Sequence, residues 1–301
     1  MLGVVKVFFG RHKENGAFYA IKVLQKKAII KHSEVERILA KRSVAIHPFL
    51  VKLHYSFQTK KKLYFLLDYV NGGKLSSYLR RQKNNVFDEH SARFYAAEIT
   101  SALEYLHGLS IIYWDLNLEN ILLDANGHII LTDLGLRKEE VTFRETVTTS
   151  GIPKCPAPEV LRNEEYDFSV DWWCLGVVTY EMMCGQAPVN FYSEDGSQKH
   201  KNIIQMPLHI NSRAQDLLEK LLQDKNNRLG DAKDIKAHMF FNSINWDYLF
   251  DKRLKPPFNP PPVKDTLKLG DFGSELTAVA ISGAQGVPCV SIADDTFNVM
   301  N

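Results

Sequence analysis

The sequence predicts an α+β protein in two parts, a small antiparallel sheet followed by a larger, mainly helical body. Short β-branched and aromatic runs dominate up to residue 70, and apolar residues recur at helical spacing beyond the break Asn71-Gly72-Gly73. At 301 residues, 45% of them hydrophobic, the chain is long enough to bury more than one compact core.

In the first part, residues 4–11, 17–24, 51–58 and 62–70 read as strands, with turn chemistry at Glu14-Asn15-Gly16 and Thr59-Lys60. One helix interrupts them. Ser33 is its N-cap, Glu34 and Glu36 sit in the first turn where the helix dipole favours anions, and it runs to about Val44 before His47-Pro48 stops it. In the second part, residues 88–109 place Ala92, Tyr95, Ala96, Ile99, Leu103 and Leu106 along one stripe of a long helix. Further helices are expected over 170–184, apolar on nearly all sides and therefore central and buried, and over 212–223. Past Pro256-Pro257-Phe258-Asn259-Pro260-Pro261-Pro262 the composition turns to Gly, Ser, Thr, Asp and small apolar residues, which reads as an irregular tail. The expected division is therefore 1–70, incomplete at its start, then 71–250, then a tail over 251–301.

Composition narrows the function classes. The 37 basic and 35 acidic residues are mixed along the chain and leave a net charge of +2, so no nucleic-acid affinity is expected. Lys60-Lys61-Lys62 is read as a solvated turn between strands. Cys155, Cys174, Cys184 and Cys289 lack a Cys-x-x-Cys spacing, which argues against a disulfide or zinc framework and for a reducing compartment. The cytoplasm is the expected location, with the nucleus open as a second. The apolar start is interrupted by Lys6 and followed by no cleavage site, so a signal peptide is not expected, and no apolar run approaches the roughly 20 residues of a bilayer span.

Transfer of a phosphoryl group from ATP needs a cation to grip the phosphates, oxygens to hold Mg²⁺, and a carboxylate to accept a hydroxyl proton. Candidates for all three occur along the chain. Lys22 lies in the strand pattern Tyr19-Ala20-Ile21-Lys22. In Tyr113-Trp114-Asp115-Leu116-Asn117-Leu118-Glu119-Asn120, an Asp and an Asn five positions apart follow the long helix and precede the strand 121–123. A hairpin turning at Asn126-Gly127 then leads through residues 128–131 to Thr132-Asp133-Leu134-Gly135, which brings Asp133 out beside the first loop. Either Asp alone reads as a turn residue. Their joint occurrence, with Lys22 upstream and Ala157-Pro158-Glu159 downstream, reads as a catalytic constellation. Asp271-Phe272-Gly273 imitates a metal-binding tripeptide, but no strand precedes it and no catalytic loop lies near it in sequence.

These motifs are joined by His47-Pro48-Phe49-Leu50-Val51, Ala92-Arg93-Phe94-Tyr95-Ala96-Ala97-Glu98-Ile99, Val170-Asp171-Trp172-Trp173-Cys174-Leu175-Gly176 and Pro256-Pro257-Phe258-Asn259-Pro260. Together they resemble the catalytic domain of AGC-group protein serine/threonine kinases, most closely the serum- and glucocorticoid-regulated kinase family, over almost the whole chain. The resemblance implies a bilobal protein-kinase fold, with a small antiparallel-sheet N-lobe and a larger, mainly helical C-lobe. It implies ATP and Mg²⁺ as cofactors, a protein or peptide substrate presenting Ser or Thr, an upstream activating kinase, and a monomer. By the same resemblance Asp115 is the catalytic base, Lys22 contacts the ATP phosphates, and Asn120 and Asp133 hold Mg²⁺. Val7, Ala20 and Leu67 would line the adenine pocket, Asp68 to Val70 would form the hinge that receives adenine, Glu159 would pair with Arg228, and Asp171 would anchor the catalytic-loop backbone.

The chain departs from that pattern at identifiable places. Leu2 and Val5 stand where the family has glycines of its phosphate-covering loop, and the family's first strand is missing. Lys41 falls where a glutamate normally aligns the strand lysine, with Glu34 a poor substitute roughly 10 Å away along the helix. Trp114 and Asn117 replace an arginine before the base and a lysine after it, so a phosphate near Thr148 loses its usual receptor and the transferring phosphoryl loses a cation. Ile152 replaces a supporting threonine, Leu134 replaces a phenylalanine, and Lys74 replaces an acid that helps select arginine-containing substrates, while the acids Glu119 and Glu181 remain. The tail lacks the family's Phe-x-x-Phe docking motif. Three readings stay open at this point: a protein kinase of reduced turnover, a pseudokinase that binds nucleotide or scaffolds, and a decayed product that folds poorly.

Overall fold

A computed structural model of the chain describes residues 6–12, 16–25, 46–59, 61–132, 154–188, 207, 210–260 and 297–299. The helix expected from Ser33, together with Lys41, Asp133, Leu134, Thr148, Ile152 and residues 271–273, lies outside them. The chain divides into two compact units, one holding Met1–Asn71 with Pro261–Asn301 and the other Gly72–Pro260.

The first unit is an antiparallel sheet of β1 (Lys6–His12), β2 (Phe18–Gln25), β3 (Leu53–Gln58), β4 (Lys62–Asp68) and β7 (Phe297–Val299), in the order β3-β4-β2-β1-β7. Alternation along each strand sorts its side chains between two faces. Phe8 lies opposite Ile21, and Ile21 opposite Leu66, so these three buried residues share one face. β4 is buried through its middle, with Leu63, Tyr64, Phe65 and Leu66 all shielded, as a central strand should be. β3 starts two residues later than its composition suggests, at Leu53 rather than Val51. The preceding residues are committed to a turn, in which Leu50 N donates to His47 O at 3.1 Å and Phe49 N to His47 Nδ1 at 3.3 Å.

The tail contradicts its expected irregularity at one point. Phe297–Val299 pair with the outer side of β1, Val299 opposite Gly10 and Phe297 opposite His12. An edge strand offers unpaired N–H and C=O groups, and a segment containing Phe and Val has the propensity to take them.

The second unit carries α1 (Leu75–Arg81), α2 (Glu89–Gly108), the hairpin β5 (Ile121–Leu123) and β6 (Ile129–Leu131), α3 (Pro158–Leu161), α4 (Ser169–Cys184), α5 (Ser212–Leu221), α6 (Ala232–Ala237) and α7 (Trp246–Phe250). Asp88 caps α2 by accepting from Ser91 N at 2.7 Å, and the whole predicted apolar stripe of that helix is buried. α4 packs against α2 and α5, is buried on nearly all sides, and stops at Gly185, which takes φ +77. Asn211 caps α5 through Arg213 N and Ala214 N, and Ala214, Leu217, Leu218 and Leu221 form its buried stripe.

The Pro-rich segment near Phe258 packs against this helical unit. Phe258 stacks on Tyr78 and Tyr95 and lies tilted against Phe87, with ring centroids 5.0–6.1 Å apart. The approach is so close that a Cβ on Gly127, whose φ is +95, would lie 1.9 Å from Phe258 O. Gly127→Ala should therefore lower stability by about 2 kcal/mol, the positive φ and the displaced backbone both contributing. An unchanged urea midpoint would show that this contact does not hold the segment.

Candidate active site

The loop that follows α2 is shaped by one buried carboxylate. Asp171, in the first turn of α4 and fully shielded, accepts from Tyr113 N and Trp114 N at 2.8 Å each, while His107 Nε2 lies 2.8 Å from its Oδ2. Two backbone donors thus converge on one side chain 57 positions or more away, which pins the loop to the helix core. Trp114 adopts φ +73, and its ring lies 4.7 Å from that of Tyr166. Its indole N–H is buried with no hydrogen-bond partner among the described residues.

The strained turn at Trp114 presents Asp115 to two amides. Asn117 Nδ2 donates to Asp115 O at 2.9 Å and to Oδ1 at 3.3 Å, and Asn120 Nδ2 donates to the same carbonyl at 2.9 Å and to Oδ2 at 3.2 Å. Each carboxylate oxygen is therefore held by its own amide. Lys154 N also approaches Oδ1, at 3.5 Å. Because the nitrogen of Asn120 is spent on Asp115, its Oδ1 is left as an acceptor with no hydrogen-bond donor among the described residues. Thr132 N and Oγ1 both donate to Asn120 O, at 3.1 and 3.0 Å, which ties the end of β6 to the loop immediately before position 133.

Sequence reasoning read Asn117 as the loss of a cation. It did not show that Asn117 is almost fully buried, clasps Asp115 and accepts from Glu119 N at 3.0 Å. Glu119, an acid the family pattern directs to basic substrate residues, also has partners within the chain: its Oε2 accepts from Lys74 Nζ at 3.0 Å and its Oε1 from Arg80 Nη1 at 3.2 Å. Burial alone would raise the Glu119 carboxyl, but hydrogen bonds from Lys74, Ser76 and Arg80 outweigh it and hold the group down at about 2.

In the sheet unit, strand register gathers four of the nominated residues. Val7 pairs with Lys22 across β1 and β2, Lys22 and Ala20 are two apart on β2, and Ala20 pairs with Leu67 on β4, so all four share one face. Lys22 is 4% exposed, whereas Val7 at the margin is 44% exposed. Asp68, opposite Tyr19, falls on the other face, where its carboxylate accepts from Lys52 N at 3.2 Å and lies 2.5 Å from His54 Nε2. Whatever Asp68 offers a ligand must come from its backbone. Val70 is buried.

Farther from the loop, Glu159 and Arg228 form a fork-to-fork pair at 2.6 and 2.8 Å with both side chains fully shielded. Arg228 also donates to Ser169 O and Gln223 O and lies over the Trp173 ring, 5.2 Å from its centroid. Its role is to join α3, α4 and the end of α5.

Residues 3–241 match the protein kinase domain. The chain belongs to the protein kinase family. It is 52% identical to serine/threonine-protein kinase Sgk2 of Homo sapiens, across 97% of this chain and 82% of that protein, and 53% identical to Sgk2 of Rattus norvegicus across 93% of this chain. Serine/threonine-protein kinase Sgk1 of Rattus norvegicus is 51% identical across 93% of this chain and 67% of its own length. Protein kinases generally use ATP and Mg²⁺. In this kinase the amides of Asn117 and Asn120 hold the Asp115 carboxylate, while the groups at 114 and 117 are uncharged.

Proposed function

We propose that this protein serine/threonine kinase transfers the γ-phosphoryl group of ATP to Ser or Thr hydroxyls of protein substrates, at reduced turnover. The observation that carries this reading is the Asp115 carboxylate, oriented by the amides of Asn117 and Asn120 in a loop anchored on Asp171. Asp115 accepts the hydroxyl proton and orients the oxygen that attacks. Lys22 contacts the ATP phosphates, and the face formed by Val7, Ala20 and Leu67 receives adenine, with the backbone of Asp68 to Val70 as its polar edge. Asn120 Oδ1 suits a hard cation because it is a bare acceptor, and Asn120 with Asp133 would hold Mg²⁺. Bound there, the ion neutralises charge on the phosphates.

Turnover is reduced because Asn117 supplies no positive charge to the transferring group; a single electrostatic donor of this kind is worth on the order of 10²- to 10³-fold in rate. The same observation favours a second reading, a pseudokinase that binds nucleotide or scaffolds without useful transfer. The reading brings with it a monomer, an upstream activating kinase and a cytoplasmic location, with the nucleus open as a second. No described helix is long and apolar enough to cross a membrane, and no nucleic-acid partner is proposed.

The test is transfer from γ-labelled ATP with Mg²⁺ to a Ser/Thr peptide, comparing the wild type with Asp133→Asn. Labelled peptide should accumulate with the wild type and fall at least about tenfold in the variant. Equal rates at background would reject the enzyme and leave the binding module, for which Mg·ATP should still raise the thermal midpoint.

A further inference from the structure

Close to where β4 runs into Asp68, the register of β3 slips by one residue. Leu53 lies opposite Leu67 and Tyr55 opposite Leu66, so His54 is an extra residue with no opposite number on β4, a β-bulge. The place opposite Leu66 goes to Tyr55, and the His54 ring turns to the end of β4, where its Nε2 lies 2.5 Å from Asp68 Oδ1. The ring nitrogen donates and the carboxylate oxygen accepts. The same ring makes a T-shaped contact with Tyr19, centroids 5.1 Å apart, and Tyr19 is the residue that pairs with Asp68 across β2 and β4. Lys52 completes the grip from its backbone: its N–H donates to Asp68 Oδ2 at 3.2 Å, and its carbonyl accepts from Asp68 N at 3.0 Å. The next residue is held from the other face. Phe9 lies opposite Ala20, on the face of Val7 and Lys22, and the Tyr69 ring is 4.6 Å from that of Phe9 and 6.4 Å from that of Phe18.

We infer that His54 is a positioning residue for nucleotide binding: by holding the Asp68 side chain on the face away from Lys22, it fixes the backbone of Asp68 and Tyr69 where the base meets it. The inference rests on the reading that residues 68 to 70 receive adenine. Asp68 offers a nucleotide only its backbone, and that backbone follows its own tethered side chain and N–H. Lys52 tethers it with main-chain groups that any residue at that position would supply, so the tether that side-chain chemistry decides is His54. Adenine presents its 6-amino group as a donor, and a backbone edge already set in place binds it without first being ordered. The phosphates should not feel the loss of this tether, since Lys22 pairs with Phe65, three residues back along β4 and outside the cluster.

The experiment is calorimetric titration of the full chain with the magnesium complexes of ATP and of purine riboside 5′-triphosphate, which lacks the 6-amino group; neither measurement depends on turnover. The wild type is compared with His54→Phe, His54→Gln, Asp68→Ala and the double variant His54→Phe with Asp68→Ala, each checked for a native circular dichroism spectrum. Phe keeps a ring beside Tyr19 and loses the donor, whereas Gln places an amide N–H where Nε2 stood. The wild type should prefer ATP by roughly 3- to 10-fold, the size of one hydrogen bond. His54→Phe should lose roughly 3- to 10-fold in affinity for ATP and little for the analogue, so that the preference collapses. Asp68→Ala should do the same and carries the test if His54→Phe does not fold, the double variant should be no worse than either, and His54→Gln should keep the wild-type ratio. Equal losses for both nucleotides, a wild type indifferent to the amino group, or His54→Gln behaving like His54→Phe would overturn the inference. Tight binding of both nucleotides with one ratio in every variant would sink it and leave the nucleotide reading standing, whereas a wild type that binds neither would remove both.

Discussion

Replacing Asp115 with Asn should lower phosphoryl transfer by about 10²- to 10⁴-fold, the range that a positioned general base contributes. The substitution is nearly isosteric and leaves the anchoring of the loop untouched. Tyr113 N and Trp114 N still donate to Asp171, and the backbone carbonyl of residue 115 still accepts from Asn117 and Asn120 at 2.9 Å. The reacting oxygen is what changes. Asp115 offers two acceptors, one to each neighbouring amide, whereas Asn offers one acceptor and turns an N–H₂ toward either Asn117 or Asn120, donor against donor. The side chain can then neither take the proton nor hold its orientation. Initial rates of peptide labelling and the thermal midpoint, measured on the same preparations, separate chemistry from folding. A variant as fast as the wild type would remove Asp115 from the reaction.

Arg228→Met should cost about 3–5 kcal/mol, because it leaves the Glu159 carboxylate buried without its countercharge. Both side chains are fully shielded, and Arg228 in addition satisfies Ser169 O and Gln223 O and covers the Trp173 ring. Removing the guanidinium thus strips donors from several buried acceptors at once. Most of the loss should belong to the stranded charge rather than to the pair as such, so Arg228→Met combined with Glu159→Leu should recover a large part of it. Urea unfolding of the wild type, the single variant and the double variant measures both quantities. A single variant within about 1 kcal/mol of the wild type would mean that water or a rearranged side chain replaces Arg228, against the packing described here.

Two of the longest helices needed only local information to be read. The apolar stripe over residues 88–109 specifies an amphipathic helix, and Glu89–Gly108 is that helix, with Asp88 found as its cap. Residues 170–184, apolar on nearly all sides, read as a buried element, and α4 occupies the interior of its unit. Asp115 and Asn120 read as chemistry through their joint occurrence with Lys22, Asp133 and Ala157-Pro158-Glu159. The Glu159–Arg228 pair and the anchoring role of Asp171 were legible through resemblance alone, since 69 and 58 positions separate the partners.

What the sequence by itself determined was therefore the element types, the kinase family pattern and the identity of the residues at the site, including the uncharged Asn117 and Trp114. Tertiary structure alone decided what those residues do with one another: Asn117 clasps Asp115 because the chain turns back at Trp114 with φ +73, and Glu119 is occupied because Lys74, 45 positions away, is carried to it. The pairing of Phe297–Val299 with β1 is of the same kind. Propensity, capping and periodicity act over a few neighbouring residues, whereas the partner a charge or a strand edge finds depends on which distant segments the closed fold brings within hydrogen-bonding reach.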